Sequence, residues 1–449
     1  MKRRLLGAVA GAGGAAATFV AVAVAVAAAC GCGPSGSGPA SGPATRPAVA
    51  PPAAAAATPG AVAPRAPSPH PDGVPAHVLF VLADGCGPAA LELGRTAARA
   101  AGADLVLLSE VAPAAVAGTV ATVNADGAVT DSAASATALA TGRATRNGLC
   151  ALGPAGERYE TILEALATAG WRRGLVTDAA AVDASPAAFA AHAARTDHVE
   201  IAAQLAAARL DVLFGDGVGF FLPAPPSAHA APASPTPRPD ADARAAAAGL
   251  RTDRRDLVAA MRAAGAHVVT DVARLDDLRA LPAAALIETT SGPGPASSAA
   301  LTERALGLLS SPAADDPRFF LFAEVEGVDT AGHRGDGSGV AAAVADYDRL
   351  VAVALRFWRA HAGHTLVVFT TDHETGGMTL GPPAAPGALP SVTFATSGHT
   401  ATPVWLYALG PGADRFAGTL SNAEVGRRLF ALLAGRAPAA PAPVPTPAP

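Results

Sequence analysis

The sequence has no large excess of charge of either sign. Among 449 residues, 32 lysines and arginines face 37 aspartates and glutamates, for a net charge of −5. So mild an acidity leaves no electrostatic footprint for nucleic acid, and no nucleic acid binding is expected. Cysteine is also scarce. Of four in all, Cys30 and Cys32 lie near the N-terminus, and Cys86 and Cys150 lie further in. Spacing leaves Cys86 and Cys150 two readings, a disulfide permitted by an oxidising compartment or two free buried thiols. Large apolar residues are nearly missing from three stretches, 31–74, about 223–248 and 437–449, where Pro, Ala, Gly and Ser dominate. Such segments cannot bury a core. They read as a tether, a surface loop insertion without chemistry, and a tail. One folded unit is left, from 75 to 436, long enough for a large core.

Ahead of the tether, Met1-Lys2-Arg3-Arg4 precedes an apolar stretch from Leu5 to Ala29. A basic start, an apolar run and small residues before Cys30 read as an export signal over residues 1–30. The run is also long enough to be a transmembrane anchor. Ala27-Ala28-Ala29-Cys30 resembles a bacterial lipoprotein processing site, although the usual leucine three places before the cysteine is missing. Lipidated Cys30 or the apolar segment would attach the protein to a membrane. Each reading puts the rest of the chain outside the cytoplasm, in a periplasmic, extracellular or membrane-anchored setting.

Apolar runs of strand length occur at residues 77–83, 174–178, 211–214, 318–326, 365–371 and 403–409. Helical patterns fall between them at residues 157–169, 196–209, 253–264, 298–309 and 340–361. Strands apolar on both faces, alternating with helices, predict an α/β fold. The expected form is a three-layer α/β/α sandwich with a mostly parallel sheet. Ligands of such sheets sit outside the carboxyl ends of the strands. Several of these runs stop at an acid there, as at Asp84 and at Asp372-His373.

Thr130-Asp131-Ser132-Ala133-Ala134-Ser135-Ala136-Thr137-Ala138 opens a stretch of small residues that closes at Thr141-Gly142. Alanine favours helix, Thr130 or Asp131 can cap its start, and Gly142 fits its stop. A serine in the first turn stands where a helix binds anions. No histidine or lysine lies nearby in sequence to act as its base, so a metal ion would have to activate it. The bland reading is a packing helix with an ordinary cap. Ligands for a metal are present elsewhere. Asp329 and His333 are four residues apart, and His399 can complete their set. Asp372 and His373 can serve a second ion together with Asp84. These are oxygen and nitrogen donors that zinc accepts. Two ions about 4 Å apart would clamp both oxygens of an in-line phosphoryl displacement.

The run from Thr130 to Ala138 resembles the nucleophile signature of alkaline phosphatases. The other motifs follow in that family's order over about residues 76–435. The resemblance implies an alkaline-phosphatase-like fold and a phosphate monoester hydrolase. It implies two zinc ions (Zn2+), one magnesium ion (Mg2+) and a transient phosphoserine at Ser132. Asp84, Asp372 and His373 would then hold one zinc, and Asp329, His333 and His399 the other, with Asp84 shared with magnesium. Asp183-Ala184-Ser185-Pro186 resembles the family's Asp-Ala-Thr-Pro stretch, which assigns Ser185 and Asp183 to the magnesium site. Small-molecule phosphate monoesters are the implied substrates, and a homodimer is common among relatives.

Two places depart from the family pattern. Its magnesium glutamate lies in Val-Glu-Gly, five residues before the zinc aspartate. Matching the words here selects Glu326, whereas counting back five from Asp329 selects Glu324. Both would share one face of a strand. The ungapped spacing through to His333 favours Glu324. The family's phosphate-binding arginine follows the Thr-Pro motif by eleven residues, and here Arg195 stands ten after Ser185. Arg195 can still offer a planar fork to two phosphate oxygens. The nearest alternative is a phosphodiesterase or nucleotide pyrophosphatase on the same scaffold, which usually carries threonine as nucleophile. A sulfatase would need a Pro-x-Arg context that Ser132-Ala133-Ala134 lacks. A non-catalytic metal-binding surface lipoprotein would have lost ligands, and here every ligand position can be filled.

Overall fold

The computed structural model describes residues 73–223, 250–289, 292–311, 317–383, 385 and 388–442. The expected signal, tether and insertion lie outside these residues, apart from Gly73, Val74 and Pro223. Among the described residues no helix is long and apolar enough to cross a membrane.

Ten strands form the central sheet. In chain order they are β1 (His77–Ala83), β2 (Val116–Ala121), β3 (Arg172–Ala180), β4 (Val212–Asp216), β5 (His267–Val269), β6 (Ala283–Leu286), β7 (Phe319–Val325), β8 (Thr365–Thr370), β9 (Val404–Leu409) and β10 (Gly418–Ser421). Their spatial order is β10-β2-β9-β8-β1-β7-β3-β4-β6-β5. Only β9 runs against its neighbours, pairing antiparallel with both β8 and β2. The helices are α1 (Pro88–Ala100), α2 (Ser132–Thr141), α3 (Ile162–Thr168), α4 (Ala184–Ala190), α5 (His198–Ala207), α6 (Leu257–Ala263), α7 (Ser298–Leu309), α8 (Gly327–His333), α9 (Gly337–Ala360) and α10 (Asn422–Leu433).

The period of two in a strand builds the three layers. Val78, Phe80 and Leu82 of β1 enter one core with Phe320 and Phe322 of β7 and with residues of α2, α3, α4, α5, α6 and α10. Leu79, Val81 and Ala83 enter the other, with Phe319 and Leu321 of β7 and residues of α1, α7 and α9. Both faces of the sheet are therefore covered, as the unbroken apolar runs predict. Cys86 and Cys150 are free and buried, one in each core, and burial pushes each thiol up to about 12.

Several expected boundaries shift, each for a local reason. The helix expected from residue 157 begins at Ile162, because Thr161 and Glu164 form a capping box there. Arg158 is meanwhile drawn into bridges with Leu152 and Ala442. The helix expected from residue 340 begins at Gly337, where the Asp336 side chain accepts from Gly339 N. The tail is not featureless at its start. Arg143 donates to Ala439 O at 2.8 Å, and Ala439 N donates to the Glu160 carboxylate at 3.0 Å.

Helix α2 explains its own composition. All ten of its residues are buried, between α4 and α10. Asp131 caps its start by accepting from Ala134 N, and Gly142 ends it in the left-handed region at φ 67°. A Cβ on Gly426 of α10 would lie 2.3 Å from Ala138 O, and one on Gly142 would lie 2.9 Å from Arg427 N. Only small residues let the two backbones approach this closely. Gly426→Val should therefore lower the free energy of unfolding by about 1–3 kcal/mol, measured by urea denaturation. An unchanged midpoint would contradict this packing.

Candidate active site

The carboxyl ends of β1, β3, β7 and β8 all deliver acids to one edge of the sheet. Asp84 follows β1, Asp178 lies near the end of β3, Glu324 is in β7, and Asp372 follows β8. The start of α2 faces the same edge. Ser132, its first residue, is buried with Oγ 3.3 Å from His373 Nε2. One turn further on, Ser135 Oγ donates to Asp372 Oδ2 at 3.1 Å. The second oxygen of the cap, Asp131 Oδ2, accepts from Gly148 N at 2.9 Å and from Arg195 at 3.1 Å. One carboxylate thus starts the helix and draws Arg195 to it. Arg195 also pairs with Asp183 Oδ1 at 3.6 Å.

Around this serine the ligand atoms converge. His373 Nε2 lies 3.1 Å from Asp372 Oδ2 and 3.5 Å from Asp84 Oδ1. Asp329 Oδ2 is 3.1 Å from His333 Nε2, and Asp329 Oδ1 is 3.4 Å from His399 Nε2. His333 Nε2 and His399 Nε2 are 3.1 Å apart. Asp329 and His333 meet because α8 is a helix and four residues make about one turn. Two groups have ligand atoms within 4.8 Å of one another: Asp84, Asp372 and His373, and Asp329, His373 and His399. From the sequence, Asp329, His333 and His399 are expected to form one set. Here His333 touches both, and His373 lies between the two groups.

The ring orientations are fixed from behind. His333 Nδ1 faces Ser397 O at 2.6 Å, and His399 Nδ1 faces Thr130 O at 3.0 Å. A carbonyl oxygen only accepts, so both Nδ1 atoms carry hydrogen. In the neutral ring each Nε2 then presents its lone pair inward, the tautomer a metal ligand needs. The acids are oriented likewise. Asp372 Oδ1 accepts from Gly85 N at 3.2 Å and His373 N at 3.0 Å, and Asp329 Oδ1 accepts from Thr375 Oγ1.

This donor set calls for cations. Among the described residues, buried Asp84 Oδ1 has no hydrogen-bond donor. Burial, then Asp372, Asp329, Glu324 and Glu326, push the Asp84 carboxyl well above its ordinary range. Burial also raises Glu324, and it raises Glu326 to about 8. Burial opposes ionisation of Asp329 too, but hydrogen bonds from His333 and His399 outweigh it and hold the carboxyl well below its ordinary value. The Asp329 hydrogen bond in turn raises His333 to about 9. Acids buried this close together leave a need for compensating positive charge. Divalent ions would fill it with the oxygen and nitrogen ligands that suit zinc, so the residues fit that group.

Beside this cluster is an all-oxygen group. Glu324 Oε2 accepts from Thr177 Oγ1 at 2.7 Å, and Ser185 Oγ donates to Asp84 Oδ2 at 3.3 Å. Asp183 caps α4 nearby and holds Arg195. Hard oxygen donors of this kind suit magnesium. The expectation that Glu324 and Glu326 share a strand face does not hold. Strand β7 stops at Val325, and Glu326 turns into the helical region at φ −89° and ψ −24°. Its side chain accepts from Thr330 Oγ1 instead, and its N–H donates to Asp178 Oδ1 at 2.8 Å. Thr177, Ser135 and Thr375 each donate to one of these acids, a role that no motif in the sequence marks. Thr177 and Ser135 lie inside the runs at 174–178 and 130–138, and Thr375 lies two residues beyond His373.

A parallel sheet whose carboxyl edge gathers a buried serine, an arginine and a field of metal-type ligands defines a class of α/β site. The chain belongs to the alkaline phosphatase family, whose model matches residues 76–393. His399 lies just beyond that match and is brought in by the fold. The chain is 30% identical over 330 residues to the repressible alkaline phosphatase of Saccharomyces cerevisiae, covering 67% of this chain and 55% of that one. It is 31% identical over 350 residues to the streptomycin-6-phosphate phosphatase of Streptomyces griseus, covering 66% and 76%. The solved alkaline phosphatase of the Antarctic bacterium TAB5 superposes with a TM-score of 0.63 at 24% identity, over 80% of this chain and 98% of that one. That likeness shows the fold. The chain spans 55–57% of the length of two fungal relatives.

Chelation should expose the repulsion among these acids. Without metal, the raised Glu326 and His333 make the folded chain bind more protons than the unfolded one. Stability then falls as pH rises through about 8 and about 9. The chelated protein should unfold at lower urea at about pH 9 than at about pH 6, and restored zinc and magnesium should shrink the difference. A chelated protein at least as stable at the higher pH would contradict this.

Proposed function

We propose that this protein is an exported, metal-dependent phosphomonoesterase acting through a phosphoserine at Ser132. The observation that carries the reading is the placement of Ser132 Oγ, at a helix N-terminus, 3.3 Å from His373 Nε2 and beside Arg195. Asp84, Asp372 and His373 would hold one zinc, and Asp329, His333 and His399 the other. Glu324, Ser185, Asp183 and Asp84 would hold magnesium. The bound ions supply positive charge that favours the Ser132 alkoxide, the departing ester oxygen and the attacking water.

The chain's own residues do the rest. Arg195 offers two N–H groups to two non-bridging oxygens of the phosphate. Asp131 and Asp183 keep its guanidinium at the mouth of the site, where the dipole of α2 adds to its charge. Ser132 gives up its hydroxyl proton, its Oγ attacks phosphorus, the bond from phosphorus to the ester oxygen breaks, and that oxygen takes a proton from solvent and leaves as the alcohol, with the phosphoryl group on Ser132. Water then displaces Ser132 Oγ from phosphorus and frees inorganic phosphate. A monoester dianion has one more negative charge than a diester, and Arg195 favours it for that reason. Export is supported by the Met1–Ala29 segment, with Cys30 as a site of lipid attachment and the tether as a spacer from the membrane.

The test is hydrolysis of a chromogenic phosphate monoester against the matching diester. Turnover should prefer the monoester, stop with chelator and return with zinc plus magnesium. Preference for the diester would sink the monoesterase reading. Arg195→Ala should lower kcat/KM for the monoester about 100-fold. Ser132→Ala should lower kcat strongly, and acid-quenched wild type should carry phosphate on Ser132 by mass spectrometry. An unchanged kcat in the variant would end the covalent route.

A further inference from the structure

Arg195 is held at its tip by Asp131 and Asp183 and at its backbone by Gly148, whose carbonyl oxygen accepts from Arg195 N at 2.9 Å. It follows the two-residue strand Ala193–Ala194, which pairs only with Leu149–Cys150, and its side chain is 33% exposed. So short a ladder is weak. His192, three residues before Arg195, is gripped from a neighbouring helix. The Gln204 amide of α5 grips the His192 backbone on both sides: His192 N donates to Gln204 Oε1 at 2.8 Å, and Gln204 Nε2 donates to His192 O at 3.1 Å.

The buried His192 ring is held as well. Its Nδ1 donates to Ala151 O at 2.9 Å, and its Nε2 meets Glu164 Oε1 at 3.0 Å. Ala151 itself sits at φ 45°, in the left-handed region that favours glycine. Three hydrogen bonds hold it there. Ala151 N donates to Thr137 Oγ1 at 2.7 Å, and Ala151 O accepts from Tyr159 N at 3.0 Å and from His192. Thr137 belongs to α2, the helix that begins with Ser132. One continuous network therefore runs from the serine's helix through Ala151 and His192 to the segment carrying Arg195. Behind it lies a cleft of about 460 Å³ lined by Glu164, Phe189, His192, Glu200 and Gln204.

We propose that His192 and Gln204 are positioning residues that set Arg195 against the start of α2. The proposal rests on the reading of Arg195 as the phosphate ligand. It makes the clamp a determinant of phosphate affinity, although the hydrogen bonds of Gln204 go to His192 and to Glu200.

The test is a double-mutant cycle on the metal-loaded full chain, with a chromogenic monoester as substrate and inorganic phosphate as competitive inhibitor. Gln204→Leu should raise KM and the phosphate inhibition constant between about 10- and 100-fold, with a smaller fall in kcat and unchanged metal content. Gln204→Glu keeps the acceptor for His192 N but loses the donor to its carbonyl, and should fall between. In an Arg195→Ala background, Gln204→Leu should change neither constant. Equal effects in both backgrounds would overturn the proposal, because the clamp would then act on something other than Arg195. So would wild-type constants in Gln204→Leu and Gln204→Glu. If Arg195→Ala alone leaves both constants unchanged, the phosphate role of Arg195 falls first and the clamp with it.

Discussion

Charge burial dominates this molecule. Asp84, Glu324, Asp329 and Asp372 are all buried at one end of one sheet, with Glu326 close behind. An unpaired buried ion costs several kcal/mol, so such a group persists only with compensation. The chain meets part of the need itself. Threonine, serine and backbone N–H groups each take one carboxylate oxygen, and His333 and His399 pair with Asp329. What they leave over, above all Asp84 Oδ1, points at the space that the imidazoles also face.

The fold serves that constraint. Parallel strands bring their carboxyl ends to one edge, so acids that are far apart in sequence become neighbours without a dedicated loop. Helix α2 must then approach the same edge, and it does so by being made of small residues and by packing on Gly426. Asp131 joins the two requirements. It caps the helix that carries Ser132, receives Gly148, and holds Arg195. A single carboxylate couples the start of the helix to the charge that would meet phosphate.

Much of this was legible from sequence because it is local. The runs that became β1, β4, β7, β8 and β9 are apolar on both faces, and α7 was legible to its ends at Ser298 and Leu309. Asp-His neighbours and a four-residue Asp-His spacing also carry their meaning in the chain. Other features do not. Strands β5, β6 and β10 lie in the outer parts of the sheet and have only three or four residues, too few to show a period, while β2 is made mostly of small residues and is half exposed. Helices α1 and α10 bury only one face, and their start signals, Pro88 and the Ser421–Glu424 capping box, went unread. Whether Glu326 shares a face with Glu324 depended on where β7 ends, and that is a tertiary matter. The grip of Gln204 on His192 has no sequence signature at all.

The account stands on the claim that the acid and imidazole cluster is built around divalent ions. The most direct measurement is equilibrium dialysis of zinc against metal-free protein, in the wild type and in His373→Ala. The account predicts more than one zinc bound per wild-type chain, and a clear loss in the variant, because His373 faces both ligand groups. A folded wild-type chain that binds no stoichiometric zinc would contradict it.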